Sequence, residues 1–242
     1  MKNYLITGGS KGIGKAVIEL LLKSKENFII NLDIVAPDIE NDNLKFIKTN
    51  LEEKASIIRA IDQIKTIQFN GLFLNAAIYK SGSLFTSNLD DVQKVINVNV
   101  MANIYLLKYL RPNLEHGCSI VFNGAEQSFI AKMNNFAYGL SKGAIAQMTK
   151  SLALDLAKYD IRVNAVCPGP VDTELYHNAI KNYADKLNIS IEKANELEVN
   201  ETSVKRVAKP EEIASLVEFL LGDKSSFMTG SLLPIDGGYT AK

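Results

Sequence analysis

Tyr138 and Lys142 form the side-chain pair in this sequence that is best suited to proton transfer. They lie four residues apart in a segment with a helical pattern, and residues at i and i+4 share one helix face. A tyrosine with its ordinary pKa near ~10 is a poor acid–base group at neutral pH, whereas a neighbouring ammonium favours the phenolate and lowers that pKa. The pair is therefore suited to exchanging a proton with an alcohol or carbonyl oxygen. With nine tyrosines and abundant lysine, about one such spacing arises by chance, so its surroundings decide its meaning.

A glycine-rich turn follows the first apolar run and leads into a helical pattern. Its sequence is Thr7-Gly8-Gly9-Ser10-Lys11-Gly12-Ile13-Gly14. Glycines allow a tight turn and let backbone N–H groups approach a phosphate, and the dipole of the following helix adds to that attraction. The turn therefore predicts a phosphate-binding site at the start of the first helix.

Two kinds of phosphate site compete for this turn. The segment Gly9–Lys15 nearly fits G-x-x-x-x-G-K-[ST], but the next residue is Ala16, which has no hydroxyl for Mg²⁺. A dinucleotide site instead requires an acidic residue about twenty positions on, and Asp33 follows Gly14 by nineteen, although a polar strand terminus would also explain it. A carboxylate there binds ribose hydroxyls and repels a 2′-phosphate. NAD is therefore favoured over NADP, although Lys11 could reach such a phosphate.

The tyrosine–lysine segment also fits a nucleophile motif. Gly139–Gly143 matches G-x-S-x-G with Ser141 at its centre. The residues that follow in the order of a hydrolase triad are Asp155, Asp160, Asp172 and His177. The motif needs a buried strand directly before its serine, whereas residues 133–137 form a poor strand pattern. A hydrolase is therefore the alternative from a different class of enzyme.

The elements that must position these residues alternate between short apolar runs and helical patterns. Most runs lack strict alternation, as expected for strands buried on both faces. The predicted strands are Tyr4–Thr7, Phe28–Asp33, Leu44–Ile47, Leu72–Leu74, Ser119–Phe122, Ile161–Cys167 and Leu232–Ile235, and the predicted helices are 13–24, 53–65, 89–110, 137–158 and 210–221. This order predicts an α/β fold, a Rossmann-type doubly wound sheet of about seven parallel strands with helices on both faces. Ligands of such sheets bind beyond the carboxyl ends of the strands.

The charge balance argues against several classes of protein. The 242 residues include 27 basic and 27 acidic side chains, so the net charge is zero and offers no basic field to nucleic acid or an anionic membrane. No apolar run approaches the ~20 residues of a membrane span. We therefore expect neither nucleic acid nor a membrane among the partners.

The termini and cysteines predict a cytoplasmic protein without a metal site. The N-terminal segment reaches glycines at positions 8 and 9, too early for the core of a signal peptide. Cys118 and Cys167 have no metal or redox spacing, so we expect small buried thiols in a reducing compartment.

The length fits one domain, residues 1–242, with an insertion at about 173–205. That region breaks the strand–helix alternation and carries aromatic residues among many charges. It is either a helical insertion over the site or a solvated surface excursion. Tyr176, His177 and Tyr183 would contact a polar or aromatic alcohol in the first case and remain surface residues in the second.

The motifs together resemble the short-chain dehydrogenases/reductases over the whole chain. The matches are the T-G-x-x-x-G-x-G turn at Thr7, Gly8, Gly12 and Gly14; Asn75-Ala76-Ala77-Ile78 for N-A-A-G; Asn99 on a helix; Y-x-x-x-K at Tyr138 and Lys142; Pro168-Gly169, then Val171 and Thr173; and Asp236-Gly237-Gly238-Tyr239. Ile78 departs from the family's glycine. Each match is weak alone, but their order and spacing together are specific.

The resemblance implies a role for each matched residue. Tyr138 would exchange the proton with substrate, Lys142 would lower the pKa of Tyr138 and hold the nicotinamide ribose, and Asn99 would anchor a water of a proton relay. Asn50 stands where the family has an acidic residue against adenine. The residues expected to bind the dinucleotide are Thr7, Gly8, Ser10, Lys11, Gly12, Ile13, Gly14, Asp33, Asn50, Leu51, Asn75, Ala76, Ala77, Tyr138, Lys142, Pro168, Gly169, Val171 and Thr173.

One departure concerns the group that polarises the substrate oxygen. The family places a serine thirteen residues before the tyrosine, where this chain has Ala125, and a methyl cannot donate that hydrogen bond. Loss of one such donor lowers the rate by roughly 100-fold or more. Three explanations stay open: Ser128 replaces the serine; Asn123 or Gln127 supplies the contact; or the chain is a weakened enzyme, an altered sequence or a cofactor-binding protein without turnover.

The sequence therefore predicts an NAD(H)-dependent oxidoreductase that moves a hydride between nicotinamide and a small secondary alcohol or ketone. The alternative is an NAD-binding protein with weak or no catalysis, because of Ala125. The patterns at 89–110 and 137–158 are apolar on more than one face, which favours burial on both sides. With the family resemblance, this predicts a homotetramer or homodimer with these helices at an interface.

Overall fold

A computed structural model describes residues 1–241 of the chain. One sheet contains seven strands in the order β3-β2-β1-β4-β5-β6-β7, and every neighbouring pair is parallel. The strands are β1 Lys2–Thr7, β2 Asn27–Asp33, β3 Leu44–Lys48, β4 Phe69–Leu74, β5 Leu114–Asn123, β6 Arg162–Pro168 and β7 Leu232–Ile235. The strand order reverses between β1 and β4, so their carboxyl ends border the crevice in which such sheets bind ligands.

Helices cover both faces of this sheet, which confirms the predicted fold class. They are α1 Gly12–Leu21, α2 Lys54–Asp62, α3 Leu89–Ile96, α4 Ala102–Leu110, α5 Phe136–Leu156, α6 Glu174–Leu187, α7 Ile191–Asn200 and α8 Pro210–Leu221. Neighbouring residues of a central strand face opposite layers because side chains alternate along a strand. Leu72 and Leu74 pack in the core with α2, α4 and α5, and Phe73 packs in the core with α1 and α8.

All seven predicted strands are present, and β4 and β5 begin three or more residues before their apolar runs. β5 starts at Leu114 because His116 and the left-handed Gly117 (φ +81°) interrupt the apolar pattern without ending the strand. β4 extends back to Phe69, and its register with β5 is irregular between Phe69 and Gly71.

The predicted helix 89–110 is divided in two. A π-helical turn, Asn97–Met101, separates α3 from α4 and contains Asn99. Turns of this kind inside helices are frequent at functional sites. The apolar pattern runs through the turn without interruption, so periodicity alone predicts one continuous helix.

The insertion is helical, as the first of the two sequence alternatives expects, while its position over a substrate stays a prediction. α6 and α7 pack on each other around a small core of Ile180, Ala184 and Ala194. The two segments that flank the insertion meet, because Val171 pairs with Ala208 as an isolated parallel bridge. Its helices therefore form a small layer of their own, called the flap below (residues 173–205).

Both cysteines are buried and free, as predicted. Burial raises the pKa of Cys118 to about 12 and that of Cys167 to about 11, which leaves both as thiols at neutral pH. Within residues 1–241, no helix combines the length and apolar character needed to cross a bilayer. The same residues contain no group of three or more His, Cys, Asp or Glu side chains placed to hold a metal ion.

Candidate active site

The glycine-rich turn joins β1 to α1 at the carboxyl edge of the sheet. Gly12 has a left-handed backbone (φ +53°), and a Cβ on Gly14 would lie 2.2 Å from the carbonyl oxygen of Gly8, so both positions require glycine. Beyond the turn, the first N–H groups of α1 have no acceptor within the helix. The backbone shape and these amides fit the pyrophosphate of a dinucleotide.

The side chains of β2 hold this turn in place. Asn31 accepts a hydrogen bond from Gly9 N (3.0 Å) and donates one to Ser10 Oγ (3.0 Å). The Ser10 hydroxyl donates to the Val35 carbonyl (2.5 Å), so its proton braces the turn instead of pointing to a ligand. Asn31 is thus a structural partner of the site that sequence patterns did not single out.

Asp33 ends β2 beside the turn. One carboxylate oxygen accepts from Ser10 N (3.0 Å), and the other accepts from Ile34 N (2.7 Å) and Val35 N (3.3 Å). These backbone donors fix the carboxylate where the dinucleotide pattern expects a ribose-binding acid. Further lone pairs of an ionised carboxylate can accept from sugar hydroxyls.

The two lysines near the turn are paired with carboxylates. Lys11 Nζ lies 2.7 Å from Glu174 Oε2 at the start of α6, and both side chains are exposed. Lys15 Nζ lies 2.8 Å from Asp38 Oδ1. Neither ammonium is therefore free to bind a phosphate without giving up an ion pair, and the nucleoside-triphosphate alternative gains no support.

Tyr138 and Lys142 lie on one face of α5 near its start, as their spacing predicts. Lys142 is buried, its Nζ donates to the Asn123 carbonyl (2.7 Å), and it stands 5.3 Å from the centre of the Tyr138 ring. Burial lowers the pKa of Lys142 to about 8. Burial, with a smaller contribution from the nearby Glu126 carboxylate, raises the pKa of Tyr138 above its ordinary value.

This direction contradicts the predicted lowering of the Tyr138 pKa. The i,i+4 spacing places an ammonium near the ring, but its hydrogen bond goes to the Asn123 carbonyl. The cost of burying a phenolate therefore outweighs any attraction from that cation.

A chain of partly buried amides connects Lys142 to the glycine-rich turn. Asn123 Nδ2 donates to Asn75 Oδ1 (2.9 Å), and Asn75 Nδ2 donates to the carbonyls of Thr7 (3.1 Å) and Gly8 (3.0 Å). The Thr7 hydroxyl oxygen accepts from the backbone N–H groups of Asn75 and Ala76. The ends of β1, β4 and β5 are thereby fixed against each other and against α5.

Asn99 fastens the loop after β4 to α5. Its amide exchanges two hydrogen bonds with the backbone of Ile78 (2.9 and 3.0 Å) and donates to Ser141 Oγ (3.0 Å). Ser141 donates in turn to the Tyr138 carbonyl (2.7 Å). The structure therefore brings Asn99 close to the reactive pair, while its role as a water anchor stays a prediction.

Ser141 does not have the surroundings of a nucleophile. It is fully buried inside α5, its proton is donated to a helix carbonyl, and a helix start instead of a strand precedes it. His177 pairs instead with Asp172 on the exposed surface (2.8 Å). The hydrolase alternative lacks the geometry of a triad.

Ala125 sits at the end of β5 with an extended backbone and is buried. Ser128 Oγ accepts from Ala125 N (3.3 Å) and donates to the Lys142 carbonyl (3.1 Å). The Ser128 proton is thus donated to the backbone of α5, so Ser128 would have to give up this bond to replace the missing serine. Asn123 likewise commits its amide N–H to Asn75, and its uncommitted atom, Oδ1, is an acceptor.

The side of Tyr138 away from the turn is lined by aromatic and charged groups. The Tyr79 ring packs edge-on against Tyr138 at 5.3 Å between centres. Glu126 lies 3.1 Å from Lys132, which also lies 2.5 Å from Glu198 of α7. Burial disfavours the charged form of Lys132, but the two carboxylates outweigh it and raise its pKa. We call Glu126, Lys132 and Glu198 the ion triad.

Comparison with known proteins agrees with this geometry. A family model described as Enoyl-(Acyl carrier protein) reductase matches residues 10–240. Glucose 1-dehydrogenase 2 of Bacillus subtilis (strain 168) is 30% identical over 259 residues, which cover 99% of this chain and 95% of that protein. A short chain dehydrogenase family protein from Francisella tularensis subsp. tularensis SCHU S4 has a crystal structure that matches with a TM-score of 0.97, 58% identity and full coverage of both chains. The chain belongs to the short-chain dehydrogenase/reductase family.

A further solved relative is the aldohexose dehydrogenase of Thermoplasma acidophilum in ligand-free form. It matches with a TM-score of 0.90 and 31% identity, covering 100% of this chain and 94% of that one. The predicted family, the Rossmann-like sheet and the class of oxidoreductase are confirmed by these similarities. Members of this family use a nicotinamide cofactor.

The remaining positions expected from the short-chain dehydrogenase pattern are distributed around the turn. A Cβ on Gly12 would lie 3.0 Å from Thr173 Cγ2, so the start of the flap touches the turn. Thr173 also caps α6 by accepting from Tyr176 N (3.3 Å). Asn50 uses its amide locally, donating to Glu53 (2.8 Å) and accepting from Glu52 N (3.1 Å), so an adenine contact would compete with those bonds.

Sequence reasoning missed the residues that complete the substrate side of this dehydrogenase fold. Tyr79, Lys132 and Glu198 carry no motif, and they meet only because the loop after β4, the loop after β5 and α7 converge. Lys132 and Glu198 lie 66 positions apart in the sequence, so no periodic pattern predicts their contact. The local hint is a lysine just before an expected active-site helix.

Proposed function

We propose that this chain is an NAD(H)-dependent oxidoreductase that interconverts a small secondary alcohol and its ketone. The observation that carries the proposal is the partly buried hydrogen-bond chain from Lys142 through Asn123 and Asn75 to the glycine-rich turn. These hydrogen bonds connect the pair suited to proton transfer, Tyr138 and Lys142, to the glycine-rich turn expected to bind the dinucleotide.

The residues that would hold the dinucleotide surround the carboxyl ends of the central strands. The turn and the N-terminus of α1 would hold the pyrophosphate, and Asp33 would accept from the adenosine ribose. Lys142 would hold the nicotinamide ribose, with Thr173 and the Val171 backbone at the carboxamide. When bound, the nicotinamide supplies hydride exchange with a carbonyl carbon.

Asp33 favours NAD over NADP. Its carboxylate would repel a 2′-phosphate, and the residues that follow it, Ile34 and Val35, are apolar. Lys11 of the turn is paired with Glu174, so it would have to give up an ion pair to bind a 2′-phosphate.

Tyr138 would hold the proton that the reaction exchanges. At neutral pH Tyr138 is a phenol, the form that can donate to a substrate oxygen in the direction of reduction, although its raised pKa makes it a weaker acid than an exposed tyrosine. Oxidation requires the phenolate of Tyr138, so the rate of oxidation should rise with pH. The hydrogen bond from Lys142 Nζ to Asn123 keeps the ammonium beside the phenol ring through either direction.

Ala125 supports a second candidate, an NAD-binding protein with weak or no catalysis. No hydroxyl stands at the polarising position, and the Ser128 proton is used by α5. Without that donor, Tyr138 alone would stabilise the negative charge that develops on the substrate oxygen.

A cofactor titration with a substrate panel separates the two candidates. NADH binding is followed by its fluorescence, and turnover of secondary alcohols and ketones by the NADH absorbance. We expect binding and turnover, with turnover abolished in Tyr138→Phe while binding is retained. Tight binding without turnover on any substrate would favour the second candidate, and no binding would refute both.

The names of two relatives support a small polar alcohol as the substrate. One is named for glucose and the other for aldohexose.

The surface supports assembly into a homodimer or homotetramer. Ile104 on α4 and Leu140 and Leu154 on α5 are exposed apolar side chains. The free buried thiols fit a cytoplasmic setting.

A further inference from the structure

Tyr79 touches the reactive tyrosine directly. The rings of Tyr79 and Tyr138 pack edge-on, with 5.3 Å between their centres and 74° between their planes. Aromatic pairs prefer this geometry, and the contact limits how far either ring can turn. Tyr79 lies in the loop after β4 and Tyr138 lies on α5, so the contact joins two separate segments of the chain at the reactive phenol.

The hydroxyl of Tyr79 is held by the residue that precedes α5. It donates to Asn135 Oδ1 (2.5 Å), and both side chains are partly buried. An asparagine in this position ordinarily accepts from the first N–H groups of its helix, as Asn88 does for α3. In the described chain, the Asn135 side chain makes no such bond to α5. Its oxygen therefore holds Tyr79 instead of capping the helix.

The backbone fastens the same two segments to each other. Gly82, three residues after Tyr79, forms an isolated parallel bridge with Asn135. The N–H of Gly82 donates to the Asn134 carbonyl (2.6 Å), and its carbonyl accepts from the residue after Asn135 (3.0 Å). The loop that carries Tyr79 is thus hydrogen-bonded to the start of α5, so its ring can resist movement of the Tyr138 ring.

The proposed reaction depends strongly on where the Tyr138 hydroxyl lies. Ala125 offers no hydroxyl to the substrate oxygen, and the Lys142 ammonium donates to the Asn123 carbonyl. A misplacement of about 1 Å can cost roughly 100-fold in rate. A group that holds the Tyr138 ring would therefore contribute to the rate without touching the substrate.

We propose that Tyr79 is a positioning residue: its ring, held by Asn135, fixes the Tyr138 ring in the orientation that exchanges a proton with the substrate oxygen. The inference rests on the proposed oxidoreductase function. Tyr79 acts through Tyr138, because its own hydroxyl proton is donated to Asn135. Loss of Tyr79 should therefore lower kcat and leave the binding of substrate and cofactor largely unchanged.

The first test removes the ring contact. In Tyr79→Leu, kcat on the best substrate of the alcohol panel should fall at least tenfold, with KM and the NADH dissociation constant changed less than threefold. The solvent deuterium isotope effect on kcat should increase, because proton transfer by a misplaced phenol becomes the slow step. Tyr159→Leu removes a partly buried tyrosine just past the far end of α5, so it is the matched control and should behave as the parent.

Two milder variants test the bond between Tyr79 and Asn135. Tyr79→Phe keeps the ring and loses the hydroxyl, and Asn135→Ala loses the acceptor. Each should lower kcat less than Tyr79→Leu does, and the double variant should be no worse than the less active single variant, because both remove the same bond. Losses that multiply would refute Asn135 as the support of Tyr79. If circular dichroism shows that Tyr79→Leu does not fold, these variants decide the test.

Fluorine NMR separates this inference from the proposed function. In protein labelled with 3-fluorotyrosine, the Tyr138 signal is identified by its loss in Tyr138→Phe, and exchange between the two ring orientations is measured without substrate. Tyr79→Leu should accelerate this exchange at least tenfold. A parent protein that turns over no substrate would refute the oxidoreductase function, and faster ring exchange would still support the hold of Tyr79 on Tyr138. Unchanged ring exchange, an unchanged kcat in folded Tyr79→Leu, or a loss confined to KM would overturn the inference.

Discussion

Burial, with the Glu126 carboxylate nearby, disfavours the phenolate of Tyr138 and raises its pKa above the ordinary value. Lys142, buried beside it, has a pKa of about 8 and loses its charge more easily than an exposed lysine. At the residue scale, the acid–base behaviour of the pair therefore depends on what surrounds the two side chains as much as on their spacing.

The pH profile of oxidation should respond to Glu126. An anion near a phenol raises its pKa, so Glu126→Gln should lower the pKa of Tyr138 and move the rise of kcat/KM to lower pH. The profile is measured between pH 6 and 10. Glu52→Gln, an exposed change far from Tyr138, should leave it unmoved, and an identical profile in both variants would contradict the electrostatic role of Glu126.

Restoring a hydroxyl at position 125 should raise activity. Ala125 has an extended backbone that serine adopts without strain, and one polarising donor is worth roughly 100-fold in rate. We expect Ala125→Ser to increase kcat at least tenfold on a true substrate, with Ala131→Ser in the exposed loop as control. Unchanged turnover would mean that another group already supplies the contact.

Asp33 should determine the choice between cofactors. Asp33→Asn removes the charge that repels a 2′-phosphate while keeping one acceptor oxygen. The ratio of the NADPH to the NADH dissociation constants, measured by cofactor fluorescence, should fall at least tenfold. The exposed Asp42→Asn provides the control, and an unaltered ratio in Asp33→Asn would show that another feature selects the cofactor.

At the scale of elements, two ion pairs help to fasten the flap to the rest of the fold. Lys11 of the turn pairs with Glu174 at the start of α6, and Lys132 pairs with Glu198 near the end of α7. The first pair is exposed and screened by solvent, whereas the ion triad is mostly buried. The triad is therefore the stronger of the two fastenings.

Removing the shared cation should loosen the flap. Lys132→Met leaves two partly buried carboxylates without their partner, which costs about 3 kcal/mol or more by analogy with other broken buried pairs. Hydrogen exchange across α6 and α7 should accelerate at least tenfold. As the control, Lys193→Met removes only an exposed ion pair of α7 and should change hydrogen exchange little. Equal hydrogen-exchange protection in the two variants would mean that the ion triad does not hold the flap in place.

At the scale of the whole molecule, the outer faces of α4 and α5 remain apolar. Leu154 is 81% exposed, and Leu140 and Ile104 are also exposed on these helices. Their inner faces pack against the sheet core, through Leu106 and Ile145 among others. The outer side of these helices thus combines apolar side chains with exposed polar ones such as Gln147 and Lys150, and we predict that it contacts a second copy.

A charge on this outer face should prevent assembly. Leu154→Glu would place a carboxylate in an apolar interface, so sedimentation should show a smaller species than the parent at micromolar concentration. Leu187→Glu, on the exposed part of α6, should sediment as the parent. A parent protein that is already a stable monomer would refute the predicted oligomer.

The sequence by itself determined the order of strands and helices, the glycine-rich turn and the helix face shared by Tyr138 and Lys142. These features are local: backbone conformation, hydrophobic periodicity and i,i+4 spacing are encoded within a few neighbouring residues. Only the tertiary structure decided the helical flap, the ion triad, the commitment of Ser128 to α5 and the raised pKa of Tyr138. Each of these arises from burial or from contacts between distant segments, which no local pattern records.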